Sequence, residues 1–176
     1  MDEKRTLIVI DMQNDFVYGP LGTDEARAIV PNVKKKIEEY RERGDMVMFT
    51  MDNHHPEFYL DSHEGRRLPV KHCGIGSDGW HLIDELSNII PFEQSKRILK
   101  ASFGFDKWGY VNPKGPIEIV GVCTNICVVS NALILRAMYP ERDITVDASC
   151  CAGTTPEMHK AALAVMKSCH IDIINQ

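Results

Sequence analysis

Cys127 lies where the sequence pattern predicts that a strand ends and a helix begins. The run Ile117–Val122 is largely apolar, and apolar residues recur at helical spacing after it. The first backbone N–H groups of a helix have no internal acceptor, and the helix dipole is positive at that end. A thiol there is biased toward its nucleophilic thiolate form. The segment therefore predicts either a nucleophile or a buried structural cysteine.

Two charged residues, Asp11 and Lys100, follow other predicted strands. Asp11 ends the apolar run Thr6–Ile10, and Lys100 follows Ser95–Leu99. Ligands of parallel sheets bind beyond the carboxyl ends of the strands, so both side chains are expected near Cys127. Polar residues at strand ends are also common as turn formers and helix caps. A lysine is a poor cap, and this weakens the purely structural interpretation.

Together these residues form a candidate catalytic set, Asp11, Lys100 and Cys127, with the chemistry of acyl transfer. Asp11 can accept the thiol proton and later return it to a leaving amine, as a general base and then a general acid. Lys100 makes a carboxylate and a thiolate tolerable in one pocket. The backbone N–H groups of Cys123 and Cys127 are the expected oxyanion donors. The predicted product of the first step is a thioester, which water then hydrolyses.

A second polar constellation begins at Asp52, directly after another predicted strand. Asp52 and His54 alternate along an extended segment, so both can reach one cation on the same side. Glu64 and His72 follow in an irregular stretch over residues 53–80, and a loop of that length is usually functional or disordered. Imidazole and carboxylate ligands suit zinc, iron or manganese. A metal site and a polar loop with solvated histidines are both consistent with this pattern.

The elements that must position these residues alternate between strand and helix. Continuous apolar runs predict strands, and apolar residues at helical spacing predict helices. The predicted strands are Thr6–Ile10, Met46–Met51, Ser95–Leu99, Ile117–Val122, Asp143–Val146 and Ile171–Ile174. The predicted helices are Asp24–Arg43, Leu82–Leu86, Cys123–Met138 and Pro156–Ser168. This alternation predicts an α/β fold in which helices cover both faces of a parallel sheet.

Composition limits the class of protein. The chain has 176 residues, of which 44% are hydrophobic and 26% charged, and a formal net charge of −5. These values predict one soluble domain over residues 1–176, and the charge argues against nucleic acid or an anionic membrane as the main partner. Met1–Arg5 has no signal-peptide pattern, and no apolar stretch reaches the ~18 residues of a membrane span. We therefore expect a cytoplasmic protein with reduced cysteines.

Three motifs, in chain order, resemble those of the isochorismatase-like cysteine hydrolase superfamily, which includes nicotinamidases. Asp11–Phe16 is similar to the family's Asp-x-Gln-x-x-Phe, and Lys100–Phe105 to its Lys-x-x-x-x-Phe. Gly121–Val128 is similar to its Gly-Val-x-Thr-x-x-Cys-Val. The resemblance covers nearly the whole chain. It implies a three-layer α/β/α sandwich with a central, mainly parallel sheet of Rossmann-like arrangement, and a cis peptide between Val122 and Cys123.

The nicotinamidase branch of this family implies a metal ion beside the catalytic cysteine, where it binds the pyridine nitrogen of the substrate. Its Asp-x-His…His pattern is similar to Asp52, His54 and His72 here. The branch thus implies one divalent metal ion, with zinc expected first and iron or manganese as alternatives. The candidate ligands are Asp52, His54, Glu64 and His72, with His55 and His63 as competing candidates.

Two departures from the branch concern the substrate more than the metal. The last histidine often lies in Pro-x-His-Cys, whereas Pro69–Cys73 is one residue longer here, and Leu68 replaces the aromatic residue frequent before that proline. Aromatic side chains could form apolar walls around a flat ring, although such residues are more often plain core. The candidates are Phe16 and Trp80, with Phe103 or Phe105 as further contributors.

The leading prediction is a metal-containing cysteine amidohydrolase that releases ammonia and a carboxylic acid from nicotinamide or a similar small amide. We also expect a homo-oligomer. The alternatives are a metal-free isochorismatase-type hydrolase or a carbamoyl amidase of the same superfamily, and a non-catalytic binding domain that retains the fold. Metal analysis separates the first from the second, and the reactivity of the Cys127 thiol separates both from the third.

Overall fold

The computed structural model describes residues 4–90 and 95–176, and its centre is a parallel sheet of six strands. The strands are β1 (Thr6–Ile10), β2 (Met46–Asp52), β3 (Lys96–Lys100), β4 (Ile117–Val122), β5 (Ile144–Ala152) and β6 (Asp172–Ile174). Their order across the sheet is β3-β2-β1-β4-β5-β6, and every neighbouring pair is parallel. The predicted parallel sheet is thus confirmed.

Helices cover both faces of this sheet. They are α1 (Asn14–Val17), α2 (Asp24–Ala28), α3 (Val30–Glu42), α4 (His63–Arg67), α5 (Asp84–Ser87), α6 (Trp108–Val111), α7 (Val129–Met138) and α8 (Pro156–Ser168). Because successive strand residues point to opposite faces, Leu7 and Val9 of β1 enter the core beneath α3. Ile8 and Ile10 enter the other core, beneath α7 and α8. The predicted three-layer α/β/α sandwich is therefore confirmed.

The chain reverses its direction across the sheet between β1 and β4. From β1 it proceeds through β2 to one edge, and from β4 it proceeds through β5 to the other. Ligands of open α/β sheets bind in the crevice at such a switch point. Strands β1 and β4 approach each other so closely here that a Cβ atom added to Gly121 would lie 2.2 Å from the carbonyl oxygen of Ile10. Gly121 also has φ of 115°, a conformation that favours glycine.

Two predicted helices are divided differently in the structure. The helix predicted over Asp24–Arg43 is two helices, α2 and α3, because Pro31 in the first turn of α3 has no N–H with which to continue α2. The helix predicted over Cys123–Met138 begins with a π-helical turn, Thr124–Val128, before α7 starts. Such turns are frequent at functional sites.

The strand predicted over Asp143–Val146 is longer in the structure. It continues as β5 to Ala152, so Asp147, the residue after the predicted strand, lies in the middle of β5 and not at a carboxyl end. Its buried carboxylate is 2.9 Å from the Nζ atom of Lys36. The second half of β5 consists of small residues, which form no apolar run that the pattern could detect. Asp147 is therefore a structural residue away from the switch point.

The irregular stretch over residues 53–80 is shaped by short helices. A 3-10 turn covers Tyr59–Asp61, α4 follows, and a second 3-10 turn covers Asp78–Trp80. A bridge between His54 and Gly74 returns the chain to the end of β2. Among the described residues, no helix combines the length and the apolar character that crossing a membrane requires.

Candidate active site and metal cluster

Asp11 is held at the end of β1 by Thr50 of the neighbouring strand. Its amide donates to the carbonyl and hydroxyl oxygens of Thr50, both at 3.2 Å. In return the Thr50 hydroxyl donates to Oδ1 of Asp11 at 2.7 Å. Asp11 has φ of 47°, which is uncommon outside glycine and asparagine-like residues. This backbone turn and the threonine together direct a fully buried carboxylate into the switch-point crevice.

Lys100 reaches the same crevice from the edge strand β3. Its Nζ atom lies 2.7 Å from Oδ2 of Asp11 and 3.3 Å from Oδ1 of Asp52. The same atom is 3.6 Å from Sγ of Cys127. Because β2 separates β3 from β1, a long side chain is needed to reach these partners. Burial disfavours the ammonium form, but the neighbouring anionic groups outweigh it and raise the pKa of Lys100 above its ordinary value.

Cys127 lies within the π-helical turn that follows β4. The carbonyl oxygen of Cys123 accepts hydrogen bonds from the amides of Ile126 and Val128, at 3.0 and 3.1 Å. The amide of Cys127 lies between these two donors along the chain. The peptide bond between Val122 and Cys123 is cis, as the motif resemblance implied. This turn brings the thiol, which is only 5% exposed, against Lys100.

The π-helical turn is also held from the side of α8. The Thr124 hydroxyl lies 2.8 Å from Nδ1 of His159. The side-chain amide of Asn125 donates to the hydroxyl of Thr154 at 3.0 Å and accepts from the Thr154 backbone amide at 2.9 Å. These contacts join the nucleophile turn to the segment between β5 and α8. No local sequence pattern predicts these contacts, because they join residues that lie about thirty positions apart.

The surroundings of the Cys127 thiol disfavour its thiolate form, contrary to the expected bias toward thiolate. Burial raises the pKa of Cys127 well above its ordinary range, the charge of Asp11 raises it further, and Lys100 only partly opposes them. Burial likewise raises the pKa of Asp11, against the lowering effect of Lys100. The cost of burying a second anion beside a carboxylate exceeds the benefit of the helix end. Nucleophilic attack from this arrangement therefore needs a base, and Asp11 is next to the thiol.

The four candidate metal ligands come together beside the catalytic set. Their ligand atoms all lie within 4.8 Å of one another, in the group Asp52, His54, Glu64 and His72. Oδ2 of Asp52 lies 2.9 Å from Nε2 of His54 and 3.4 Å from Nε2 of His72. Oε1 of Glu64 lies 3.8 and 3.5 Å from the same two nitrogens. Two imidazoles and two carboxylates thus direct ligand atoms at one point, a donor set that suits zinc, iron or manganese.

The surroundings of the cluster orient His72 for this role. Its Nδ1 atom lies 2.8 Å from the carbonyl oxygen of Val70, and this contact favours a proton on Nδ1 and leaves Nε2 as the ligand atom. Burial opposes protonation, but hydrogen bonds with Asp52 and Glu64 raise the pKa of His72 to about 10. The cluster thus favours positive charge between its carboxylates. We conclude that these residues fit a divalent metal ion.

Two further residues hold the cluster in place, and the sequence pattern did not single out either role. Gln13 is fully buried, and its Oε1 accepts from the backbone amide of Asp52 at 2.7 Å. Its Nε2 donates to the Asp52 carbonyl oxygen at 2.9 Å. The ring of Tyr59 packs on His54 and His72, with centroids 4.8 and 5.1 Å apart. Gln13 is part of the first sequence motif, whereas the position of the Tyr59 ring depends on how the 53–80 segment folds.

A cavity of about 220 Å³ is lined both by Cys127 and by residues of the metal cluster. It is lined by Phe16, Leu21, Asp52, Glu64, Leu68, His72, Phe103, Cys123, Ile126, Cys127 and Thr154. Most of this lining is apolar, and none of the described lining residues is a lysine or an arginine. Cys127, Asp52 and His72 form its buried end, whereas Leu68, Phe103 and Thr154 are exposed and form its mouth. The cavity therefore suits a small, uncharged and largely apolar molecule.

The aromatic candidates differ in their positions. Phe16 lines the cavity, with its ring 5.4 Å from that of His72. Trp80 is not among the described lining residues of this cavity, and its role as a pocket wall stays a prediction. Its indole N–H donates to Asn53 at 2.9 Å, which holds the ring beside the loop. Phe103 lies at the mouth, and Phe105 instead packs edge-on against a buried tryptophan, Trp108.

The competing histidines lie outside the metal cluster. The ring of His55 packs against Phe58, with centroids 4.7 Å apart. His63 is the first residue of α4, and Glu64, the next residue, belongs to the cluster in its place. His55 lies outside the cluster because side chains alternate along this extended segment, and it points away from the side that Asp52 and His54 share.

Comparison with known proteins gives one consistent result. A family model for the isochorismatase domain matches residues 5–176. The chain is 30% identical over 178 residues to a probable inactive nicotinamidase of Arabidopsis thaliana, covering 92% of this chain and 87% of that protein. It is 27% identical over 210 residues to a nicotinamidase of Schizosaccharomyces pombe, covering 97% of this chain and 92% of that protein.

Solved structures agree with the sequence matches. A nicotinamidase/pyrazinamidase from Bacillus subtilis superimposes with a TM-score of 0.85 at 26% identity, covering 98% of this chain and all (100%) of that one. A pyrazinamidase of Pyrococcus horikoshii in complex with zinc gives a TM-score of 0.80 at 27% identity, covering 98% and 99%. The likeness thus extends over nearly the whole of each chain.

Proposed function

The chain belongs to the isochorismatase family, and we propose that it is a metal-containing amidohydrolase for nicotinamide or a similar small aromatic amide. Its family and its nicotinamidase relatives make it a hydrolase of non-peptide C–N bonds. The products would be the corresponding carboxylic acid and ammonia. The observation that carries this proposal is the largely apolar cavity that Cys127 shares with the metal cluster.

The charge of the cavity separates this function from the alternatives. The nearest cation, Lys100, is already surrounded by Asp11, Asp52 and the Cys127 thiol. In the metal-free alternatives, a carboxylate-bearing substrate of the isochorismatase or carbamoyl type would therefore meet the carboxylates of Asp52 and Glu64 with no lysine or arginine in the described lining. Burying an unpaired charge in such a site is costly. A neutral aromatic amide carries no such cost.

The fit of the cluster supports one divalent metal ion held by Asp52, His54, Glu64 and His72, with zinc as the first candidate. One neighbouring structure is a zinc complex of a pyrazinamidase. When bound, the ion would supply a Lewis acid for a ring nitrogen of the substrate, and such orientation can be worth several kcal/mol. The carboxamide of the substrate would then face Cys127, which lines the same cavity.

The remaining steps use residues of the chain itself. Asp11 removes the proton from Cys127 as the sulfur attacks the carbonyl carbon, and the C=O electron pair moves to oxygen. The backbone amides of Cys123 and Cys127 stabilise the oxyanion. Asp11 returns its proton to the amide nitrogen as the C–N bond breaks, and ammonia leaves a thioester. Water, deprotonated by Asp11, then cleaves the C–S bond to give the acid and the thiol.

One relative is a probable inactive nicotinamidase, so the catalytic activity of this chain needs an argument of its own. In this chain Lys100 lies within 3.6 Å of atoms of both other members of the catalytic set. The four candidate metal ligands are also complete and close together. An intact set of acid–base, nucleophilic and metal-binding groups supports an active enzyme over a binding domain.

The test is release of ammonia from a panel of amides by protein purified without chelator. We expect nicotinamide to be hydrolysed, and benzamide, which has the same shape but no ring nitrogen, to react much more slowly. A carboxylate-bearing N-carbamoyl amino acid should not react. Equal rates for nicotinamide and benzamide would contradict a metal-positioned ring, and no ammonia from any amide would contradict the amidase. Rapid cleavage of the carbamoyl compound would favour the alternative branch.

A further inference from the structure

Asn131 on α7 is a fully buried residue one helical turn after Cys127. Its Nδ2 donates to the Cys127 carbonyl oxygen at 2.8 Å and to the Phe103 carbonyl oxygen at 3.1 Å. Its Oδ1 accepts from the Phe105 amide at 2.9 Å and from the Trp108 indole N–H at 3.1 Å. A side-chain amide can donate twice and accept twice. All four positions are therefore used.

These bonds join two parts of the active site. One part is the π-helical turn that carries Cys127. The other is the segment Phe103–Trp108, which follows Lys100 and provides Phe103 at the cavity mouth. The segment packs tightly on α7, because a Cβ on Gly104 would lie 2.4 Å from a methyl group of Ile134. A shift of this segment would thus move Lys100 and the mouth relative to the thiol.

We propose that Asn131 is a positioning residue, which sets the Cys127 turn against Lys100 and the Phe103 side of the substrate cavity. It touches neither the substrate cavity nor the reacting atoms among the described contacts, so its effect passes through the backbone of Cys127 and Phe103. The kinetic part of this inference rests on the proposed amidase function. The part that concerns the environment of the thiol does not.

The chemistry of the side chain explains why an amide is needed. An aspartate has nearly the same shape, but its second oxygen would face the Cys127 and Phe103 carbonyl oxygens, which also accept. A threonine hydroxyl could still donate to the Cys127 carbonyl oxygen, four residues earlier on the helix, but it could not reach the Phe103–Trp108 segment as well. Asn131→Asp therefore opposes both donated bonds, and Asn131→Thr removes mainly the connection between the two parts.

The experiment compares both variants with Tyr40→Phe. This change removes one buried hydrogen bond to Glu118, and neither residue is in the described cavity lining. For each protein we would measure the melting temperature, metal content, kcat and KM for nicotinamide. We would also follow the rate of Cys127 alkylation by iodoacetamide against pH, by peptide mass spectrometry. The alkylation reagent is small and needs no amide binding, so it reports on the thiol even if the protein hydrolyses no amide.

We expect kcat to fall about tenfold to hundredfold in both Asn131 variants, with KM changed less than about threefold and metal content unchanged. Alkylation of Cys127 at neutral pH should slow about fivefold, because the thiol moves away from the Lys100 ammonium group. Tyr40→Phe should lower the melting temperature and leave both rates unchanged.

Asn131 variants that lose stability as Tyr40→Phe does, but keep kcat and the alkylation profile, would overturn the proposal. Failure of both variants to fold would also count against it, since Asn131 would then be a residue of stability alone. If the wild-type protein hydrolyses no amide while the alkylation profile changes as expected, the proposed function fails and the positioning role stands.

Discussion

Oδ1 of Asp52 lies 3.3 Å from the Nζ atom of Lys100, so one carboxylate belongs to both halves of the site. Its other oxygen faces the imidazoles of His54 and His72. Burial alone would raise the pKa of Asp52, but the two histidines and Lys100 lower it below its ordinary value. The metal cluster and the catalytic set are therefore electrostatically connected through an ionised Asp52.

This connection predicts different outcomes for two ligand substitutions. His54→Ala removes a candidate metal ligand, so metal affinity should fall about tenfold or more. KM should rise, while Asp52 and Lys100 remain beside the thiol and it keeps its reactivity. Asp52→Ala also removes an anion that raises the pKa of Cys127, so the thiol should react faster with iodoacetamide at neutral pH. Elemental analysis and alkylation rates measure the two effects.

The matched control for these substitutions is His55→Ala, since His55 packs on Phe58 outside the cluster. It should keep its metal and its activity. Identical metal content in the His54 and His55 variants, with full activity in both, would exclude the cluster as the metal site and favour the metal-free branch.

Cys127→Ala should abolish turnover, because the proposed thioester cannot form without this sulfur. We expect at least about a thousandfold loss of kcat/KM, as for other covalent nucleophiles. The control is Cys169→Ala, which changes an exposed cysteine at the surface and should keep full turnover. Measurable burst kinetics in Cys127→Ala would contradict the mechanism, as would loss of turnover in Cys169→Ala.

The buried ion network around Lys36 should govern stability and not activity. Its Nζ atom lies 2.8 Å from Glu118 and 2.9 Å from Asp147. Lys36→Met would leave two carboxylates without this cation, at a cost of about 3 kcal/mol in the free energy of unfolding. The neighbouring Lys35→Met removes only an exposed pair at 4.0 Å and should cost less than about 1 kcal/mol. Urea titration measures both, and equal values would contradict the role of the network.

The same network predicts a loss of stability in acid. Burial alone would raise the pKa of Asp147, but hydrogen bonds from Lys36, Ser149 and Asn175 lower it below its ordinary value of 3.8. A carboxylate with a lowered folded-state pKa stabilises the fold above its unfolded-state pKa, and this contribution disappears as pH falls through the folded-state value. Asp147→Asn should therefore make the unfolding free energy less dependent on pH below about 4. If the unfolding free energy of Asp147→Asn depended on pH below about 4 as strongly as that of the wild type, the prediction would be wrong.

The sequence predicts the positions of Asp11, Lys100 and Cys127 because the carboxyl ends of parallel strands meet at one edge of a sheet. It also predicts the metal ligands, since Asp52 and His54 alternate on one extended segment. The sequence does not predict where the rings of Tyr59 and Trp80 lie, and the reason is the same for both. Both residues lie in the 53–80 segment, whose path is determined by tertiary contacts and not by any local period.

The expected thiolate character of Cys127 illustrates a second limit. A helix end is a local feature that sequence can reveal, and alone it favours the thiolate. Burial and the charge of Asp11 depend on the folded structure, and both act in the opposite direction. Asn131 is a similar case, because its partners in Phe103–Trp108 lie more than twenty residues away along the chain.

Asp11→Asn should separate thiol reactivity from turnover. The charge of Asp11 raises the pKa of Cys127, so its removal should lower that pKa and speed alkylation by iodoacetamide at pH 8. Turnover should nevertheless fall about 10²–10⁴-fold, because an amide cannot accept the thiol proton or return it to the leaving nitrogen. Lys100→Ala should slow both reactions, since Lys100 lowers the pKa of the thiol. Alkylation that slows in Asp11→Asn as turnover falls would show that Asp11 holds the site together and does not act as its base.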